Sequence, residues 1–183
     1  SEPLARFGRV ALRGEALRDA GLESFVAEAR RRAADDSAPA LYAALLDVLM
    51  NDRVLDLDVQ EVRYYGYPNP RLKAALVELQ SRLWGAFGRL VKYGDGAHLG
   101  LVSGLKRAVD TRGLSTLVMA VRHPAHTSAF GPLSGEGVQS AQEAAYRLLR
   151  DRKKAVLLLE VDEMTPAAQA DLEKFLSEAA RHL

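Results

Sequence analysis

The chain has 183 residues, 48% hydrophobic and 27% charged, and its 25 basic and 24 acidic side chains leave a net charge of +1. This length and balance suit one globular domain and exclude a fibrous repeat or a disordered tract, and near-neutrality excludes a strong long-range pull on nucleic acid or acidic lipid. Cysteine is absent, which excludes disulfides, thiolate metal sites and a cysteine nucleophile.

The opening Ser1-Glu2-Pro3-Leu4 has no basic region leading into an apolar run, so no secretory signal is expected and a reducing, cytoplasmic setting is. Richness in Ala, Leu and Arg suggests a bacterial source. From Gly14 to Ala34, Leu17, Leu22, Phe25, Val26 and Ala29 recur at helical spacing, with Arg30, Arg31 and Arg32 at the end where cations suit the helix dipole. Asp35-Asp36-Ser37 then reads as a break and N-cap, followed by a second helix with Pro39 in its first turn and a stop near Asn51. Leu55-Asp56-Leu57-Asp58-Val59-Gln60 alternates apolar and polar and predicts an edge strand, continued through Val62, Tyr64 and Tyr65 after a bulge at Glu61.

The turn Gly66-Tyr67-Pro68-Asn69-Pro70 cannot be helical, and a long helix is expected from Pro70 to Tyr93 with Leu72, Leu76, Leu79, Leu83, Trp84, Phe87, Leu90 and Val91 on one stripe. Leu99–Val109 predicts another helix. The last third reads strand, helix, strand, helix over Thr116–Val121, Ser134–Arg150, Ala155–Val161 and Pro166–His182. Continuous apolar runs separated by helices predict parallel strands covered on both faces. None of the apolar runs approaches the roughly 18 residues of a membrane span. The expected fold is mixed α/β and mostly helical. A helical portion, residues 1–113, packs on a small, largely parallel sheet carrying a C-terminal βαβα unit, residues 114–183, as a single domain.

The loop from Arg122 to Gly137 is the first place to look for a ligand, because such sites lie outside the carboxyl ends of parallel strands. Ser134, Gly135 and Gly137 open the following helix and are candidates to receive an anion. The segment Leu117–Pro124, with Arg122-His123 at its end and Leu133-Ser134-Gly135-Glu136-Gly137 ten residues on, resembles the first motif of the histidine phosphatase family. The resemblance would make His123 the phosphate-accepting nucleophile and Arg122 a phosphate clamp. Pro124 and Ser140 stand where that family has Gly and Gln, and the resemblance covers about 30 of the 183 residues. An ordinary strand end is the preferred reading. Ala155–Leu172, an apolar strand ending in Asp162 and Glu163, resembles the Walker B segment of clamp-loader-type AAA ATPases, but no phosphate-cradling Gly-x-x-x-x-Gly-Lys-Ser/Thr accompanies it. His123, His126 and Asp162 form a weak metal-ligand set, and no metal or other cofactor is expected.

Tyr64, Tyr65, Tyr67 and Arg71 gather around a stiff turn, and with Trp84 and Phe87 they are candidates for an interface. The leading expectation is therefore a non-catalytic interaction or regulatory protein whose partner is itself, as a homo-oligomer, or another protein. A phosphoester-processing enzyme at Arg122-His123 and a nucleic-acid-binding accessory protein using the Arg clusters are the alternatives.

Overall fold

The computed structural model describes residues 2–95, 112–124, 126–128, 131–133 and 135–183. The chain opens with a hairpin, β1 (Ala5–Phe7) and β2 (Val10–Arg13), whose turn uses Gly8 at φ 54°. Two short helices follow, α1 (Glu15–Asp19) and α2 (Glu23–Arg32), separated at Gly21 with φ 75°. The expected single helix over 14–34 is thus two, because the left-handed backbone at Gly21 cannot continue a helix.

Helix α3 (Ala38–Met50) is capped by Ser37, whose hydroxyl accepts from the Ala40 amide, and is buried almost all round. Strand β3 (Val59–Tyr64) leads through Asn69, which caps α4 (Pro70–Phe87) by accepting from the Leu72 amide. Gly88 at φ 61° ends α4, and the chain turns into β4 (Leu90–Asp95). Leu90 and Val91, expected on the helical stripe, belong to this strand. After β5 (Gly113–Arg122), two short strands, β6 (His126–Ser128) and β7 (Gly131–Leu133), pair with each other before α5 (Gly135–Asp151). Strand β8 (Ala155–Glu163) and α6 (Pro166–Arg181), capped by Thr165, close the chain. The helix expected over Leu99–Val109 lies outside the described residues.

The main sheet has the order β1-β2-β8-β5-β3-β4, with β8, β5, β3 and β4 mutually parallel and the β1-β2 hairpin antiparallel at one edge. The mixed α/β class and the largely parallel sheet agree with expectation. The N-terminal portion, expected to be helical, supplies four of the six strands. Its strand is also displaced, since Leu55–Asp58 lies outside β3. Asp52 Oδ1 accepts from the amides of Val54 and Leu55, and Asp56 adopts φ 46°, so the first part of the alternating segment, Leu55–Asp58, turns rather than extends. β3 is an interior strand paired in regular register on both sides, with Glu61 opposite Lys92 and Ser115, and no bulge interrupts it.

Two cores form. On one face α3, α4 and α6 cover the sheet, with Tyr42 donating or accepting a 2.8 Å bond with Thr116 Oγ1 and its ring 5.7 Å from that of Phe175. On the other face α1 and α5 cover it through Ala16, Val138, Ala145 and Leu149 against Leu117, Met119, Val156 and Leu158. Consecutive parallel strands β3 and β4 are neighbours, whereas β5 lies on the other side of β3 from β4. Strand order therefore reverses between β3 and β5, the point where doubly wound sheets open a crevice at their carboxyl ends.

Candidate functional site

The reversal brings together the ends of β3 and β5, that is Tyr64-Tyr65-Gly66 and Arg122-His123-Pro124. β3 runs out first: the Tyr65 amide still donates to Val118 O, but Ala120, the next residue of β5 facing that side, has no strand opposite it among the described residues. The Gln142 side chain of α5 fills the gap. Its Oε1 accepts from the Ala120 amide at 3.3 Å and its Nε2 donates to Ala120 O, so one buried carboxamide imitates the missing strand. This pairing fixes which end of the amide is oxygen, and the same Oε1 lies 2.7 Å from His123 Nε2. His123 Nε2 must then carry a proton and donate. The lone pair of the neutral ring is then on Nδ1, which is buried, and Nε2 has none with which to attack phosphorus.

Arg122 turns elsewhere, to Glu163 of β8 at 3.7 Å, both side chains largely in solvent. Arg122 and His123 are therefore adjacent in sequence but committed to different partners. Gly135 packs onto the His123 backbone so closely that a Cβ would stand 2.0 Å from its carbonyl oxygen, which explains the glycine by fit of helix to strand. Glu136 places a carboxylate in the first turn of α5, where a bound anion would meet it. Gly137 lies one residue further into the same turn, and Ser134 is outside the described residues. Asp162 is exposed at the end of β8, the His126 side chain is not among those described, and among the described residues no three His, Asp or Glu side chains group as metal ligands.

A second polar cluster, missed from sequence, lies on β3. Glu61 and Arg63 are buried and paired at 2.7 Å, with Ser115 Oγ 3.5 Å from the other Glu61 oxygen. The signal for it in the sequence is polar residues within a strand, which alternation assigns to a wet face. Tyr64 is on the opposite face of the strand and fully buried, and Tyr65 is buried against the α5 side. Neither can reach a partner, so both are removed from the interface candidates. Burial, and then the nearby Asp95, push the Tyr64 hydroxyl well above the ordinary tyrosine range; burial and a 2.6 Å hydrogen bond to Asp95 do the same for Tyr93. Both stay protonated and offer no base at neutral pH.

Four arginines of the two clusters are engaged within the chain: Arg31 and Arg32 with Glu28, Arg30 with Leu4 O, and Arg150 with Asp19. Arg71 is exposed and reaches Glu173 at 3.2 Å, and Tyr67 is half-buried. The other candidates lie on α4. Trp84 is 57% exposed and Val77 46% exposed, while Phe87 is half-buried against the core. Trp84 is thus absent from the buried stripe of Leu72, Leu76, Leu79 and Leu83.

No family model and no curated protein matches this sequence. Seven chains of solved structure match the fold. One of them, hypothetical protein TT0462 from Thermus thermophilus, is similar over 90% of this chain with a TM-score of 0.57 and 17% identity. This chain spans 44% of that protein's length, and the likeness is one of fold alone.

Proposed function

We propose that the protein is a non-catalytic interaction or regulatory protein that acts as a homo-oligomer, using the outward face of α4. The observation that carries this reading is the exposure of Trp84 and Val77 on the solvent side of a helix whose inward side is already satisfied by four buried leucines. Large aromatic side chains left in water on a rigid helix are the typical anchors of protein interfaces. The phosphoester reading has less support, because His123 Nε2 is held as a donor and Arg122 faces Glu163. The nucleic-acid reading has less, because Arg31, Arg32 and Arg150 are matched by carboxylates of their own chain.

Sedimentation equilibrium of the purified protein tests the reading. The expected result is a particle of more than one chain, with Val77→Glu reducing it to one chain at unchanged circular dichroism. A single-chain mass at every concentration up to the millimolar range would overturn it.

A further inference from the structure

Resting on the homo-oligomeric reading above, we infer that two copies pair α4 antiparallel about a two-fold axis near the level of residue 79, each seating its Trp84 in a groove on the other. Pro70, Ala74, Val77, Ser81, Trp84 and Gly88 are all exposed and recur at intervals of three or four, so they form one uncharged stripe along the outer face of α4. Near the start of that stripe lies a shallow groove of about 720 Å³ lined by Pro68, Pro70, Ala74, Val77 and Ser81, with the charged Lys73 and Glu78 on its two sides. Near its end stands Trp84. Knob and groove thus occupy the same helix face, ten residues or about 15 Å apart.

Such a face is self-complementary under one operation. A two-fold perpendicular to α4, midway between Ala74 and Trp84, lays each Trp84 at the level of the other copy's Ala74. The set Pro70, Lys73, Ala74 and Val77 has the spacing i, i+3, i+4, i+7 that forms the hole for a knob from a facing helix. Small residues at Ala74 and Ser81 let the two helices approach to the roughly 8–10 Å of close helix packing. The contact is made twice by symmetry and closes, as an isologous interface must.

The charges agree. Glu78 and Arg82 flank the stripe on one side, and neither has an ion-pair partner among the described residues of its own chain. In the antiparallel pair the same flanks meet, and each Glu78 comes within about 3 Å, along the axis, of the level of the other copy's Arg82. A parallel pair would instead bring Trp84 against Trp84 and leave both grooves empty.

Trp84 is the sole tryptophan, so its emission reports on the seat directly. At high concentration the emission is expected at short wavelength, moving red on dilution in step with the loss of mass. Ala74→Arg, on an exposed position, fills the groove. It is expected to weaken association at least tenfold and to leave Trp84 emission water-like, with unchanged circular dichroism. Arg82→Glu is expected to weaken association less, and Glu78→Arg combined with it to restore binding. An oligomer whose Trp84 emission is water-like, or one that survives Ala74→Arg, would overturn the seat while leaving the homo-oligomer standing. A single-chain mass throughout would overturn both.

Discussion

Gln142 supplies hydrogen bonds that no neighbouring strand makes. Its carboxamide satisfies both backbone groups of Ala120 and accepts from His123, all in a nearly water-free position. Replacing it with Leu keeps the volume but leaves the Ala120 amide and carbonyl buried without partners, and an unsatisfied buried group costs about 1–3 kcal/mol. Gln142→Leu is therefore expected to lower stability by about 2–3 kcal/mol, read as a shift of the urea midpoint at constant slope. A loss below about 0.5 kcal/mol would mean that the clamp contributes nothing. In the sequence, Gln142 is one polar residue of an amphipathic helix. Its role depends on β3 ending before β5 does, which no local pattern encodes. His123 is legible as a residue at a strand end, but its partner is 19 positions away.

Strand β3 carries a costly feature for an interior element. Glu61 and Arg63 sit on the same face of the strand, desolvated and matched to each other at 2.7 Å. Removing one partner of a buried pair costs about 3–5 kcal/mol, whereas replacing both by apolar groups is often neutral. Arg63→Met alone should therefore destabilise by about that amount, and Glu61→Leu with Arg63→Met should recover most of it. Equal losses in the single and double variants, measured by chemical unfolding, would contradict the pairing.

The β1-β2 hairpin is held by a different charge. Asp171 of α6 accepts from the Arg9 backbone amide and then from its guanidinium, which keep its carboxyl below the usual carboxylate range. Gly8 makes room: a Cβ there would lie 2.7 Å from Asp171 Oδ2. A carboxyl depressed in the fold stabilises above its unfolded value of about 4 and loses that contribution as the pH falls through the folded value. Wild type should thus exceed Asp171→Asn in stability at neutral pH, and the gap should close on acidification below about pH 4. A gap that is the same at neutral pH and in strong acid would rule this out.

The Ser37 cap is legible in the sequence because its side chain acts on an amide three residues on, and Asn69, expected only as part of a turn, caps α4 in the same way. The end of α4 is not. Leu90 and Val91 continue the helical spacing by coincidence, and Gly88 in the left-handed region overrides it.

At the scale of the molecule, four parallel strands, a hairpin edge and two helical layers make a doubly wound sheet whose order reverses between β3 and β5. The reversal places Tyr64, Tyr65, Arg122 and His123 at one end of the sheet. Burial or internal partners then occupy these side chains, and of the large apolar residues left in water Val77 and Trp84 lie together on α4, while Val54, Leu90 and Val121 are exposed singly elsewhere. Among the described residues no helix is long and apolar enough to cross a membrane. Composition and periodicity were enough for the α/β class, the C-terminal strand-helix-strand-helix run and the Ser37 cap, because each depends on neighbours within a turn or two of chain. Strand order, the burial of Tyr64, Glu61 and Arg63, the engagement of His123 and the exposure of Trp84 were settled by tertiary structure. All of them depend on which surfaces meet between distant parts of the chain, and a helix stripe wide enough for two faces does not say which face turns inward.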